Sequence, residues 1–378
     1  MLAVILFFCV NALDVRATEE VIVSTFAGTG FHGADDGHAA QFNLPRGVLA
    51  TPWGVYVADT FNNMIRFVSF GTASTTTVAG SILGLDVLRF PVGLYRDGAI
   101  ADALFNRPAA MVMGAGNNVF VLDSANHSLR IVMQEGVFTF AGNGQPGHVD
   151  GLASQARFNR PTAMAVGPDG SIYIADSGNH VIRRADSSGI VSTVAGIPGI
   201  SGHSDGDISQ ALFNGPMGIA VDIYGRIFVA DTGNHLIRMI YDGYVTTLAG
   251  SLIFPYEIDF EITYYVNEWD NVPLGGFMDG QGDAAMFNLP QGLAIWQDTL
   301  IVADSGNHRI RAISPGGLVF TLAGNGYPGH EDGPAVASAF HLPEGLSVWG
   351  DTLYVADTGN NVIRMINLTA FLLEAAVE

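Results

Sequence analysis

The chain has 378 residues, 48% of them hydrophobic and only 14% charged, which provides ample material for a packed core and excludes a disordered chain. Its formal net charge is −20 and all 16 of its basic residues are arginines, which argues against binding to a nucleic-acid backbone. Because lysine is absent, chemistry that requires a lysine base or a Schiff base is excluded as well.

The N-terminus has the features of a secretory signal peptide. An apolar stretch runs from Leu2 to Val10, and Val15-Arg16-Ala17 offers small residues at the −3 and −1 positions of a cleavage site. The stretch is shorter than the about 20 apolar residues that a membrane span requires. We therefore expect residues 1–17 to be a signal peptide, the protein to be secreted or lumenal, and the mature chain to have no membrane span. Cys9, the one cysteine, lies in this segment, so the mature chain would have no disulfide.

A ten-residue motif then recurs six times along the chain, as in a repeat protein with a period near 50 residues. Its aspartates follow one another at intervals of 64, 53, 55, 73 and 53 residues, so two repeats carry insertions. The six copies are VADTFNNMIR (57–66), VLDSANHSLR (121–130), IADSGNHVIR (174–183), VADTGNHLIR (229–238), VADSGNHRIR (302–311) and VADTGNNVIR (355–364).

Each copy is accompanied by a strand ending in Ala-Gly, an Asp-Gly loop and a Phe-Asn-x-Pro segment that leads into another short strand. In the fourth repeat, turn residues separate β-rich runs at 191–196, 218–221, 226–230 and 236–240, which predicts four strands per repeat. The strands are continuously apolar and do not alternate, so both faces of each sheet must be buried. This is typical of a β-propeller, in which every sheet is packed between two neighbours.

The two ends of the chain predict how the ring closes. Residues 21–28 match the last strand of a repeat, whereas the final repeat ends after its third strand, at 362–366. We therefore predict an all-β fold: a six-bladed β-propeller with four antiparallel strands per blade, whose last blade is completed by the N-terminal strand. The propeller would extend over residues 18–366 with an insertion at 251–277, and residues 367–378 would form a C-terminal tail.

The motif resembles the NHL repeat, whose name corresponds to Asn234-His235-Leu236 in this sequence. The resemblance extends over nearly the whole mature chain and is closest to the long NHL repeats of teneurin-like and thioredoxin-linked proteins. It implies a binding or scaffolding propeller, although some related six-bladed propellers are lyases or lactonases. The departures from the pattern are local: Phe61 and Ala125 replace the turn glycine, Asn63 and Asn361 replace the histidine, and His341 replaces the asparagine of Phe-Asn-x-Pro.

Two charged positions recur in every repeat, and a role repeated six times is a role in the fold. We expect the aspartate to accept N–H groups within its turn, and the arginine to pack its stem between blades with its guanidinium on carbonyls or carboxylates. These structural positions are Asp59, Asp123, Asp176, Asp231, Asp304 and Asp357, with Arg66, Arg130, Arg183, Arg238, Arg311 and Arg364.

Strand parity predicts that all 10 histidines lie on one face of the propeller. A metal or acid–base site there needs three or four ligands that converge. The alternative is that the hairpin histidines, one per blade, make hydrogen bonds in their turns, and we favour this interpretation. No cofactor is predicted, and a structural or site metal is left open.

The insertion at 251–277 is the feature that the repeat explains least. It combines aromatic residues with carboxylates, and we expect it to emerge on the histidine face as a partner-binding surface or, alternatively, to pack on itself as a hairpin. Its candidate partner-binding residues are Tyr256, Phe260, Tyr264, Tyr265 and Trp269. Of two glycosylation sequons, Asn367 is the better candidate, because Asn126 lies in a tight repeat turn.

These features favour a non-catalytic extracellular or lumenal propeller that binds a protein, peptide or glycan. The alternative is a metal-assisted lyase or hydrolase, similar to the peptide-amidating lyase, strictosidine-synthase or lactonase families, with its site on the histidine face. RNA binding, a third hypothesis, is opposed by the net charge.

Overall fold

The computed structural model describes residues 20–253 and 273–369. Over these residues it confirms the predicted fold: six antiparallel sheets of four main strands, with helical structure limited to short 3-10 turns. None of the described helices is long and apolar enough to cross a membrane.

The four main strands of each blade follow one another from the centre of the ring outward. Blade 1 has Gly47–Thr51, Gly54–Asp59, Met64–Ser69 and Thr75–Ala79; blade 2 has Pro108–Met113, Val119–Asp123, Ser128–Met133 and Gly136–Ala141; blade 3 has Ala163–Val166, Ile172–Asp176, Val181–Ala185 and Ile190–Ala195. Blade 4 has Gly218–Val221, Ile227–Asp231, Leu236–Tyr241 and Tyr244–Ala249; blade 5 has Pro290–Trp296, Thr299–Asp304, Arg309–Ile313 and Leu318–Ala323; blade 6 has Pro343–Trp349, Thr352–Asp357, Val362–Asn367 and Ile22–Ala27.

The innermost strands close the ring. Each contacts the innermost strands of both neighbouring blades, including blade 6 with blade 1. Between every two blades lies a separate apolar cluster, so the propeller has six cores in place of one. Each cluster or its border contains a fully buried phenylalanine from the Phe-Asn-x-Pro position, and burying such a ring stabilises the fold by roughly 1.5–3 kcal/mol. These rings belong to Phe42, Phe105, Phe158, Phe213, Phe287 and Phe340.

The N-terminal strand completes blade 6, as the two chain ends predict. Val23 pairs with Ile366 and Thr25 with Arg364 in antiparallel register. The backbone hydrogen bonds of this pairing join the ends of the chain and leave no open strand edge at the seam.

Each connection between blades crosses the outer rim. It begins at the outermost strand of one blade and runs to the outer edge of the next blade. In blades 3 to 6 it forms a two-residue strand on that edge; in blade 3, for example, Gly151 pairs with Val191 of the blade's outermost strand. It then returns through Phe-Asn-x-Pro to the innermost strand. The four short strands are Gly151–Leu152, Gly206–Asp207, Gly280–Gln281 and Gly333–Pro334.

One face of the propeller is formed by the turns between the second and third strands together with the Phe-Asn-x-Pro segments; we call it the turn face. Backbone hydrogen bonds hold each turn on the segment of its own blade, as from Gly178 N–H to Asn159 O at 2.9 Å. Each turn is one 3-10 turn followed by a residue in the left-handed region, with φ between 53° and 58°. The six turns are Thr60–Asn62, Ser124–Asn126, Ser177–Asn179, Thr232–Asn234, Ser305–Asn307 and Thr358–Asn360.

Candidate functional site: the turn face and the mouth of the central channel

Beneath the turn face, every blade contains the same buried group of polar side chains. In blade 4, Asp231 is fully buried and accepts three hydrogen bonds: from the backbone N–H of Asn214 at 2.7 Å, from Asn234 Nδ2 at 2.7 Å and from Arg238 Nη1 at 2.8 Å. Burial raises the pKa of Asp231 to about 6, and Arg238 and the two other donors oppose the rise. The same arrangement recurs around Asp59, Asp123, Asp176, Asp304 and Asp357.

This geometry corrects one expectation about the repeat aspartate. The backbone N–H that it accepts does not belong to its own turn; it belongs to the Phe-Asn-x-Pro segment, and the turn supplies an asparagine side chain instead. The aspartate therefore ties three strand ends together: its own strand, the entry to the innermost strand and the third strand through arginine.

The repeat arginine has a second carboxylate partner. In blade 4, Arg238 Nη2 lies 2.5 Å from Asp205 Oδ1 and also donates to Ser204 O, while its guanidinium lies 5.3 Å from the centre of the Phe213 ring. Both contacts fix the connection on the outer rim to the third strand of the blade. The equivalent rim carboxylates are those of Asp36, Asp97, Asp150, Asp279 and Asp332, at 2.5 to 2.7 Å from their arginines.

The local sequence pattern predicts these rim aspartates only as turn residues. Their sixfold recurrence before glycine was the signal that could have identified them as the second partner of the arginine. All six repeat arginines are completely buried, and the structure places their guanidinium groups on carboxylates and carbonyls. Together these groups build the blade.

The histidine of the turn joins neighbouring blades. His180 Nδ1 accepts the backbone N–H of Gly215 in the next blade at 2.9 Å, and His235 Nδ1 accepts that of Leu289 at 2.9 Å. His127 and His308 accept the backbone N–H of Arg160 and Leu342 in the same way. Where asparagine replaces histidine, its Oδ1 is the acceptor: Asn63 accepts the N–H of Arg107 and Asn361 that of Leu44, both at 2.8 Å. The departures at 63 and 361 therefore preserve the function of the position.

The prediction that all histidines share one face is wrong for His148 and His330, which lie in the connections. His148 Nε2 lies 2.8 Å from Thr193 Oγ1, and His330 Nε2 lies 3.0 Å from Thr25 Oγ1, in the middle of an outermost strand. The connection runs along the outer edge of the sheet before it returns to the turn face, so the imidazole rings of His148 and His330 lie beside the sheet. Among residues 20–253 and 273–369, no group of three His, Cys, Asp or Glu side chains is arranged to hold a metal ion.

The predicted partner-binding aromatic residues Tyr256, Phe260, Tyr264, Tyr265 and Trp269 lie outside the described residues. The described ends of their insertion are joined by a hydrogen bond from Leu274 N–H to Ile253 O at 2.7 Å. Asn367 is exposed at the end of a strand, whereas the amide nitrogen of Asn126 is bonded to Leu94 O and Asp123 Oδ2. That difference supports the choice of Asn367 as the better glycosylation candidate.

The innermost strands surround a central channel with a cavity of about 90 Å³ at its mouth. The blades approach so closely there that a Cβ on Gly218 would lie 1.8 Å from Gln291 O, and one on Gly292 would lie 1.9 Å from Glu344 O. In every blade, the residue just before the position equivalent to Gly218 lines the mouth, and its type differs from blade to blade. The six mouth residues are Arg46, Ala109, Thr162, Met217, Gln291 and Glu344.

One ion pair joins two neighbouring positions of this ring, in blades 1 and 6. Arg46 Nε lies 3.3 Å from Glu344 Oε2, yet the nitrogen makes no hydrogen bond with any described group. Burial raises the pKa of Glu344, and Arg46 opposes that shift. A wider opening of about 490 Å³ adjoins the mouth beside blades 1 to 4; we call it the arginine cleft, because Arg46, Arg107 and Arg160 line it.

Comparison with known families identifies the repeat. The family model for the NHL repeat matches residues 158–184 and 287–313, which contain the buried phenylalanine, the aspartate and the arginine of blades 3 and 5. The chain belongs to the NHL-repeat propellers.

This NHL-repeat propeller resembles parts of longer proteins. It is 31% identical over 289 residues to Protein SUPPRESSOR OF QUENCHING 1, chloroplastic, of Arabidopsis thaliana, which covers 72% of the chain and 26% of that protein. It is 27% identical over 355 residues to NHL repeat-containing protein 2 of Bos taurus, with 73% and 48% covered, and 28% identical over 266 residues to Teneurin-3 of Mus musculus, with 64% and 9% covered. The chain thus spans half the length, or less, of these relatives.

Solved structures support the fold alone. A protein of unknown function from Bacteroides thetaiotaomicron VPI-5482 superposes with a TM-score of 0.66 at 17% identity, covering 92% of the NHL-repeat propeller and 76% of that chain. Virginiamycin B lyase from Staphylococcus aureus superposes with a TM-score of 0.50 at 13% identity, covering 92% and 100%.

Proposed function

We propose that this NHL-repeat propeller is a non-catalytic binding scaffold, secreted or lumenal, which binds a protein, peptide or glycan on its turn face. The observation that supports this proposal is the set of six mouth residues around the channel. Its six positions are equivalent in the backbone but hold six different residue types, whereas the aspartate–arginine group beneath them is the same in every blade. A position that the fold does not constrain is where a ligand site is expected, because function resides in sites built on a fold.

The chemistry of the turn face supports binding over catalysis. Within the described residues, the four turn histidines use Nδ1 to hold the next blade and do not converge on a common point. The alternative function, a metal-assisted lyase or hydrolase, is favoured by the likeness in fold to virginiamycin B lyase. The described residues of this chain contain no group of three His, Cys, Asp or Glu side chains that could hold a metal ion, and we propose no cofactor.

The insertion belongs to this proposal, because it has aromatic residues at 256, 260, 264, 265 and 269, and aromatic side chains are enriched in protein interfaces. A variant that lacks residues 254–272 tests their contribution. Since Ile253 and Leu274 are already joined by a hydrogen bond, a short glycine link can close the gap without moving either blade.

The test is a screen of the purified protein against peptide and glycan arrays, followed by titration of the best ligand with and without a chelator, and by metal analysis of the same protein. We expect saturable binding that the chelator does not change and that weakens in the variant without residues 254–272. A stoichiometric transition metal whose removal abolishes ligand binding or turnover would favour the enzymatic alternative and overturn the proposal. Sequencing the N-terminus of the secreted product tests the localisation.

A further inference from the structure

The arginine cleft is unusual in a chain whose net charge is −20. Three of its 16 arginines and one histidine line this opening, and no carboxylate of the described residues does. Arg107 and Arg160 occupy the variable position of Phe-Asn-x-Pro in blades 2 and 3, where the other blades have leucine or glycine. Positive charge is therefore concentrated in one sector of the turn face.

Arg107 and Arg160 lack the carboxylate partners that the six repeat arginines have. Both are exposed, and no carboxylate of the described residues lies within ion-pair distance of either guanidinium. Arg107 stacks on Phe61 at 4.9 Å, which orients its guanidinium without neutralising it. Charged hydrogen bonds are the strong ones, so two free guanidinium groups form an anion site.

Two neutral donors complete the cleft. Because His127 Nδ1 accepts the N–H of Arg160, the ring proton resides on Nε2, which can donate to a ligand. The hydroxyl of Ser124 has no hydrogen-bond partner among the described residues, unlike its counterparts in the other blades. Those five hydroxyls, of Thr60, Ser177, Thr232, Ser305 and Thr358, donate to the proline carbonyl of the next blade.

An apolar groove of about 310 Å³ adjoins the cleft, and Arg107 lines both. Its walls include Phe61 and Phe90, whose rings lie 5.9 Å apart edge to face, and Leu88, which is 72% exposed. The carboxylate of Asp86 also lines it, and its Oδ1 accepts the backbone N–H groups of Leu88 and Phe90. Phe61 stands where four blades have glycine, and Leu88 and Phe90 belong to a stretch found in no other repeat. The repeat pattern thus changes in the sector where the cleft and the groove meet.

We infer that the cleft binds the carboxylate of an acidic peptide segment whose neighbouring apolar side chain occupies the groove. This inference rests on the proposed binding function and specifies its ligand. A polyanion would meet the repulsion of the whole acidic chain, whereas one or two carboxylates gain the local donors at little cost. The aromatic walls beside Arg107 favour a peptide over a free dicarboxylate, because the apolar side chain would add buried area.

The experiment uses the full chain and a fluorescently labelled tetrapeptide, Gly-Phe-Glu-Gly, titrated by fluorescence anisotropy. Peptides with Gln in place of Glu or Ser in place of Phe measure the two contacts separately. Succinate, inorganic phosphate and a single-stranded RNA oligomer are tested as competitors. The protein variants are Arg107→Gln, Arg160→Gln and Leu88→Ser, all at exposed positions, and Arg184→Gln is the matched control because it changes the net charge equally outside the cleft, where it pairs with Asp169.

We expect Arg107→Gln and Arg160→Gln each to weaken binding at least tenfold, or about 1.4 kcal/mol, because each removes a charged donor from the carboxylate. Leu88→Ser should reduce affinity only for the peptide that contains Phe, and Arg184→Gln should change nothing. Equal binding by the Gln peptide or by the cleft variants would overturn the inference, as would tighter competition by succinate, phosphate or RNA. If an array ligand binds but ignores these arginines, the scaffold proposal stands and the peptide-carboxylate site fails.

Discussion

The last residue of each turn accepts a backbone N–H of the next blade, and in four of the six blades the acceptor is a histidine Nδ1, so acid should weaken the ring at four of its six joints. Burial lowers the pKa of His127, His180, His235 and His308, and Arg160 lowers that of His127 further. The folded protein therefore resists protonation of these rings more than the unfolded chain does. Their contribution to stability is complete above the unfolded pKa of about 6.5 and is lost as pH falls through the lower folded pKa.

The perturbation is replacement of all four histidines by asparagine, the residue that already fills this role at positions 63 and 361. Asparagine Oδ1 accepts the same N–H at 2.8 Å there and carries no titrating group. A net hydrogen bond is worth about 1 kcal/mol, so the native protein should lose up to about 4 kcal/mol more than the variant on acidification from pH 7.5 to 5. At pH 7.5 the free energies of unfolding of the two proteins should agree within about 1 kcal/mol.

The assay is urea unfolding followed by tryptophan fluorescence at a series of pH values, with linear extrapolation to water. The five buried aspartates whose pKa is raised to about 6 titrate in the same range with the opposite sign, because a raised folded pKa favours the folded state at low pH. Their contribution is common to both proteins and cancels in the difference. His38→Asn, on the rim connection, is the control. Parallel pH profiles for the native protein and the fourfold variant would refute the reasoning.

Three further predictions concern the frame of the propeller. Asp231→Ala removes the acceptor of three N–H groups, one of them on the buried Arg238, and should lower the free energy of unfolding by about 3–5 kcal/mol. Asp205→Ala, whose side chain is 45% exposed, should cost about 1 kcal/mol. Equal losses in urea unfolding would contradict this distinction. Removal of residues 20–27 deletes the closing strand, so the truncated chain should expose a strand edge and elute as larger species in size-exclusion chromatography; an unchanged monomer peak with native stability would contradict this. Gly218→Ala places a Cβ 1.8 Å from a backbone carbonyl of the next blade and should destabilise the ring, measured as a lower melting temperature. Ala163→Gly, at the equivalent position of blade 3, should lower the melting temperature less, because it adds only the entropic cost of a glycine in a strand.

Repetition made the fold predictable from sequence. Six copies of one unit report the same strands six times, so a departure in one copy, such as Ala125, does not disturb the assignment. The unpaired strands at residues 21–28 and 362–366 also predicted the closure, because each repeat needs four strands and the last one lacks its outermost. Periodic patterns specify local structure, and the ring follows from packing identical sheets side by side.

The same repetition concealed the role of individual side chains. The turn histidine was recognised as structural, but its partner lies in the next blade, 33 to 54 residues away. Strand parity alone placed His148 and His330 on the turn face, although their rings lie beside the sheet. The rim aspartates read as turn residues because the arginine that they contact lies about 30 residues farther along the chain. Such partners are set by how the connection crosses the rim, which no local pattern encodes.

By itself, the sequence determined the strands, the number of blades and the closure, since these depend on local patterning repeated at a fixed period. Only the tertiary structure decided that Arg46, Arg107 and Arg160, which span more than 100 residues of the chain, line one cleft that no described carboxylate lines, although the repeat arginine of every blade is buried between two aspartates. The reason is physical: ring closure brings equivalent positions of neighbouring blades together, so the character of a site depends on which departures from the repeat become neighbours.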